Sequence, residues 1–270
     1  MIAKLTIEIA CLNNITFLKE CYNTPPFKVA NITEDKKEGT LQLMLMSSSP
    51  GILDGDNYQI SIRLAAGCKL QLHTQAYQRL FSMKMLAIQN VDVWLDDKAS
   101  FSFIPQPIVP QALSNFKSRN RYYLSNNNRF LLGEILTCGR KLNGEIFAFS
   151  KYHAITEIFL NGKLVIKENL LLQPAAIDVN AIGQLQGYTH QASLIYLNAD
   201  ADIKQLIPIL LDLLSSQNDI NFGITAAPVN GLLVRILGQK AGQLYDCLQL
   251  VATCLRKFEQ PKIALHAVSN

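Results

Sequence analysis

Charged residues are scarce in this chain. Asp, Glu, Lys and Arg make up 17% of its 270 positions, well below the usual quarter. Together with 49% hydrophobic residues and a slightly positive mean hydropathy, that shortage excludes a disordered, solvating chain. It implies a large buried core, in one big domain or two smaller ones, and much interface surface. Nor does one sign of charge accumulate. The 25 basic and 21 acidic side chains leave a net charge of +4, with no basic run longer than Lys36-Lys37. A nucleic-acid binder concentrates Lys and Arg, because its affinity comes largely from counterion release. The densest basic stretch here, Lys117-Ser-Arg119-Asn-Arg121, reads as an exposed strand and loop, so no nucleic-acid partner is expected.

Long apolar runs are missing too. LIPILLDLL (206–214) is short and interrupted by Asp212, so no segment is expected to span a bilayer. The opening MIAKLTIEIACLNN carries Glu8 where a signal peptide needs an apolar centre; it reads as a first strand of a cytoplasmic protein. The cysteines at 11, 21, 68, 138, 247 and 254 form no CxxC pair and no zinc framework. Without a secretory signal they read as reduced thiols, and Cys247 and Cys254, seven apart, as small apolar residues on one helix face. His153, His190 and His266 have no ligand spacing with one another. Cys138 with His153, or Ser82 with His73 and Asp56, can be drawn as a hydrolase's nucleophile, base and orienter. No nucleophile elbow, phosphate-cradling glycine loop or metalloprotease helix accompanies them, so no enzyme is expected.

What the chain does have is period two. Tyr58, Ile60, Ile62 and Leu64 alternate with polar residues in YQISIRL, and LQLMLM (41–46), VDVWLD (91–96) and Phe101/Phe103 follow suit. In ITEIFLNGKLVIKE, Asn161-Gly162 supplies the two positive-φ positions of a tight hairpin turn. Near residue 193 the grammar changes. SLIYLNA reads as a strand, Asp200 or Asp202 caps a helix with inward Ile203, Leu206, Ile207, Leu210 and Leu214, and Pro208 kinks it or delays its start. INFGITAA and LLVRIL follow as strands. A second helix is expected over about 239–258, facing inward through Leu244, Cys247, Leu248, Val251, Leu255 and Phe258, and KIALHAV as a closing strand. The β-α-β-β-α-β order resembles a ferredoxin-like unit. Strands this short and numerous imply a mainly β fold of stacked or coiled sheets, with a C-terminal α+β portion carrying two helices. Residues 1–270 form a single unit on this reading, 1–190 β-rich and 191–270 packed on it.

Several blocks then assemble into a likeness: Gly55-Asp56-Asn57-Tyr58, LAAGCKLQLHTQAYQRLF (64–81), FIPQPIVP (103–110), LLGEILTCGRKLNGEIFAF (131–149) and LLVRILGQ (232–239). In order and separation they resemble the urease accessory protein D family, also called protein H. The resemblance implies that these sheets are wound, stacked and β-helix-like with antiparallel and mixed pairing, and that the chain is a non-enzymatic urease maturation factor with no tightly bound cofactor and with Ni²⁺ in transit. Its implied partners are urease apoprotein, accessory protein F and, through F, the GTPase accessory protein G. It also implies an internal nickel path, whose positions match Asp56, Glu134 and Glu168, with Ser82 as a neutral oxygen. The chain departs from the family with His73 where Thr is common, and with Asp54 where a glycine is common.

Read as residues, these positions differ. Glu134 lies among Leu131, Leu132, Ile135 and Leu136, where a charge is costly unless paired or hydrated. Asp56 can simply build a turn, and Glu168 can be a solvated strand residue. His73, on the strand face opposite Leu70 and Leu72, can ligate a passing metal or be merely hydrogen-bonded. Thr74 and Gln75 are expected to satisfy backbone groups in the sheet, and Arg79 to serve structure or a partner. Gly139-Arg140 and Gly144-Glu145 read as a hairpin with positive-φ glycines and an Arg140–Glu145 ion pair; alternatively Arg140 binds a partner. A protein-binding scaffold without any metal path is the alternative function.

Overall fold

Alternation of apolar and polar residues builds most of the molecule. The structure is a computed structural model that describes residues 1–35, 37 and 39–259. One sheet contains β1 (Ile2–Leu12), β2 (Ile15–Asn23), β5 (Asn57–Leu64), β8 (Ala87–Leu95), β11 (Asn115–Leu124), β13 (Lys151–Leu160) and β14 (Lys163–Leu172), in the order β14-β13-β11-β8-β5-β1-β2. The other contains β3 (Phe27–Asn31), β4 (Leu41–Ser47), β6 (Lys69–Thr74), β9 (Ser100–Phe103), β12 (Arg129–Thr137), β15 (His190–Asn198), β16 (Asn221–Ala226) and β17 (Gly231–Gly238), in the order β16-β17-β15-β12-β9-β6-β4-β3. The short β7 (Gln78–Leu80) and β10 (Ile108–Pro110) pair with each other and join this second sheet through β12.

The middle of the chain winds. From β5 it passes to β6, β8, β9, β11, β12 and β13, alternating between the two sheets, so that β5, β8, β11 and β13 lie parallel in one and β6, β9 and β12 parallel in the other. Antiparallel neighbours flank the run, including β2, β14, β3 and β15. The mainly β, helix-like winding of mixed sheets read from the sequence is therefore the observed fold. The inward residues of both sheets, among them Ile62, Val93, Phe101, Phe116, Phe130 and Ile158, form one apolar core. Asn161-Gly162 turns β13 into β14 with φ of 49° and 78°, both left-handed as a type I′ turn demands.

The C-terminal part extends the second sheet. β15, α1 (Ile203–Ser215), β16, β17 and α2 (Ala241–Glu259) follow in sequence. The strand order β16-β17-β15 is that of a split β-α-β, and β12 of the winding occupies the next place. The two helices cover the outer face of this sheet over a second core that includes Leu206, Leu210, Leu214, Leu244, Leu248 and Val251. Asp202 caps α1 by accepting from the Gln205 N–H. Pro208 lies inside the helix without delaying its start. Phe258, expected inward, is exposed; in the last turn Glu259 makes the inward contact, accepting from the Tyr196 hydroxyl at 2.9 Å. The expected strand KIALHAV and His266 lie outside the described residues.

Candidate functional site

Strand β12 is buried on both faces along most of its length, and its register decides where its one acidic side chain points. Leu131 and Ile135 face the helices, and Phe130, Leu132 and Leu136 face the other sheet. Glu134 shares the second face, so its carboxylate lies between the sheets. Opposite it, Asn120 and Thr156 pair in register across β11 and β13, and Thr156 pairs with Glu168 of β14. On its own sheet Glu134 is in register with Ser193 of β15, and Ser193 with Arg235 of β17. Two rows of three polar side chains thus face one another: Asn120, Thr156 and Glu168 across from Glu134, Ser193 and Arg235. Glu134 Oε1 accepts from Asn120 Nδ2 and from Thr156 Oγ1, each at 3.3 Å. At the outer end Arg235 donates to Glu168 in an ion pair. Burial lifts the Glu134 carboxyl above its ordinary value, against the Thr156 hydrogen bond and the Arg235 charge. Burial, and then the Glu134 charge, raise the phenols of Tyr122 and Tyr152.

Two cavities meet at this carboxylate. The larger, about 590 Å³, runs between the sheets and is lined on its inner side by Ser118, Asn120, Tyr122, Glu134 and Tyr152. Its exposed lining residues, Ser47, Pro50, Gln75, Ala76, Tyr77 and Arg79, mark a mouth. The smaller, about 30 Å³, is lined by Glu134, Tyr152, Thr156, Glu168, Gln191, Ser193 and Arg235, with Ile135, Leu136, Ala154 and Leu170. It is large enough for a water molecule. Glu134 and Tyr152 line both. No three His, Cys, Asp or Glu side chains converge among the described residues, so a cation here meets two carboxylates and the neutral oxygens of Thr156, Ser193 and Gln191. Such hard oxygen donors suit a divalent cation that has shed most of its water.

The chain as a whole is similar to known proteins. The pattern of the family described as "UreD urease accessory protein" matches residues 1–266. The urease accessory protein UreD of Flavobacterium johnsoniae is 46% identical over 252 residues, covering 93% of this chain and 91% of the relative. That of Acetivibrio thermocellus is 34% identical over 254 residues, covering 94% and 97%, and that of Haemophilus influenzae 33% over 253 residues, covering 89% and 93%. The chain belongs to the UreD family. It is thus an accessory protein of urease maturation, working with urease and other maturation factors, and not a catalytic enzyme.

The UreD blocks occupy distinct places. LHTQAYQRLF supplies the end of β6, the mouth and β7: Thr74 Oγ1 accepts from the Gln106 N–H at 2.7 Å, while Gln75 and Arg79 are exposed rim residues. The strand ends at Thr74, so Ala76 is not on the Leu72 face as a continuing strand would place it. Gly51 is required beside this segment, since a Cβ there would meet the Arg79 carbonyl and lie 2.9 Å from Phe81. His73 lies on the opposite face, where burial and the Arg256 charge lower its basicity. Asp56 is buried, accepts from the Leu53 N–H at 2.9 Å and sits 3.2 Å from the amino terminus. It lines neither cavity, but it stands behind Tyr58 of the larger one, whose phenol burial and then Asp56 push up to about 12. Asp54 keeps an ordinary backbone angle, Gly55 taking the positive φ of 72°. Ser82 is exposed and lines neither cavity.

The Gly139–Glu145 segment is a short 3-10 turn at Lys141–Asn143 rather than a strand hairpin. Gly139 and Gly144 take φ of 122° and 80°. Arg140 grips Glu145 through two nitrogens, Nε at 2.9 Å, and Glu145 also accepts from the Ala112 N–H. The drawn hydrolase groups do not meet: among the described residues no hydrogen bond joins Cys138 to His153, which binds Asn169, or Ser82 to His73 or Asp56. Burial also holds Cys138 as a thiol. Sequence reading overlooked Asn120, Thr156, Ser193 and Arg235. The available signal was the alternation itself, which puts Ser118 and Asn120 on the inward face between Phe116 and Tyr122.

Proposed function

We propose that this chain conducts Ni²⁺ through its interior during urease maturation, while docking accessory protein F, through it the GTPase accessory protein G, and the urease apoprotein. The observation that carries the reading is the position of Glu134: a half-buried carboxylate between two sheets, reached by a cavity from one side and facing a row of oxygens on the other. An ionised side chain in an apolar core destabilises the fold unless something charged or polar meets it, and a cation in transit gives it a use. Sites along such a path must admit the ion and then release it. Two carboxylates with neutral oxygens do this better than a closed cage of cysteines and histidines. On this reading Glu134 is the inner ion-binding group, Glu168 the outer one, and Thr74, Gln75 and Arg79 edge the entrance. Asp56 acts from behind Tyr58, and Ser82 and His73 take no part.

The experiment is maturation of urease in cells carrying the native chain, no chain, or Glu134→Ala. Nickel content and activity are expected to fall without the chain and with Glu134→Ala, while the variant still copurifies with its partners. Normal nickel loading by a stable Glu134→Ala chain would remove the conduit and leave a scaffold.

A further inference from the structure

Resting on the passage reading above, we infer that Arg235 is its gate: the guanidinium holds Glu168 across the outer end of the passage, and a divalent cation advances only by displacing it. The small cavity beyond Glu134 is bounded by Glu168 and Arg235 on the side where both side chains reach solvent, 27% and 44% exposed respectively. Among the described residues, Arg235 is the sole cation in that lining. It projects there because β17 alternates: Val234 and Ile236 turn to the helices, so Arg235 turns to the opposing sheet. An ion leaving Glu134 therefore meets a positive charge where its next carboxylate should be.

Charge counting explains why the two cations exclude each other. Glu134 and Glu168 ionised, with Arg235 in place, leave one negative charge. Adding a divalent ion beside the guanidinium gives one positive charge in a confined, poorly screened space, and like charges at that range repel strongly. With the guanidinium swung out, the ion and the two carboxylates are neutral. The long, half-exposed Arg235 stem lets the head move into water while its methylenes stay against the protein. With no ion present, the ion pair closes the end and keeps Glu168 from binding stray cations.

The test is equilibrium binding of Ni²⁺ alone to the full-length chain, by competition with a metallochromic indicator. Arg235→Gln is expected to bind Ni²⁺ about tenfold tighter or more, since one like charge at short range is removed. Arg235→Lys, keeping the charge, should stay near the native value and controls for folding. Glu134→Gln/Arg235→Gln should lose the gain, placing the added affinity in this passage. Unchanged or weaker binding by folded Arg235→Gln overturns the gate, as does a gain that survives Glu134→Gln. Delivery separates the two claims. If Glu134→Gln abolishes nickel loading of urease but Arg235→Gln leaves affinity unaltered, the gate alone falls; if Glu134→Gln loads urease normally, the passage falls with it.

Discussion

Burial works against the ionised form of Glu134, and its hydrogen-bonding neighbours and the Arg235 charge work the other way. Its two hydrogen bonds come from neutral donors at 3.3 Å, and burial is the largest influence on its proton. In the unfolded chain the carboxyl ionises near 4.5, and in the folded protein it ionises higher. Above the folded value the native state holds a penalised charge; as pH falls through that value toward 4.5, the native state takes up a proton the unfolded chain still lacks, and stability rises. Glu134→Gln keeps an acceptor for Asn120 and Thr156 and never ionises. It should therefore melt higher than the native protein at pH 7.5, by about 2–4 °C for each 1 kcal/mol relieved. That advantage should shrink steadily as pH is lowered toward 4.5. A variant that melts lower, or keeps the same margin at every pH, would mean that the carboxylate is not penalised by burial. The sequence singled out this residue because an acid among four aliphatic side chains is costly unless paired or hydrated. It was silent on Arg235, whose surroundings in LLVRIL are those of any half-exposed strand arginine.

At the scale of elements, β12 is where the two halves of the molecule meet. It pairs with β9 on one side and β15 on the other, and faces the winding's core on one surface and α2 on the other. Gly133, next to Glu134, is set by that crowding rather than by its backbone angle: a Cβ would lie 3.1 Å from Ile104 and from Leu248. Gly133→Ala should cost about 1–3 kcal/mol by overpacking. Leu248→Ala alone should cost about 2–5 kcal/mol through the cavity it leaves. The double variant should cost less than the two together, because one change fills what the other empties; additive denaturation energies would show that β12 and α2 do not press on each other here. Strand existence was readable from alternation, and α1 and α2 from their apolar stripes and the Asp202 cap. Parallel pairing was not, since period two is the same in parallel and antiparallel ladders. The successive turns of the winding share no sequence repeat, because each turn needs only inward apolar residues and not the same ones.

For the whole molecule, the proposed passage is lined by sequence-distant residues. Asn120, Glu134, Thr156, Glu168, Ser193 and Arg235 come from six strands and converge through register. A linear reading sees each as an isolated polar residue; only the winding, with β14, β15 and β17 closing around it, lines them up. The family blocks build the mouth and β12. They also drew attention to Asp56 and Ser82, which turn out to line neither cavity. The central claim is that an ion moves through the space beside Glu134, and blocking that space tests it without touching a carboxylate. Ser193→Leu places an aliphatic side chain into the cavity of about 30 Å³, leaving Glu134, Asn120, Thr156 and Glu168 intact. The deciding measurement is nickel per urease active site after maturation with this variant, in complexes shown to retain their partners. The proposed route predicts a severe loss of nickel; full loading would contradict it.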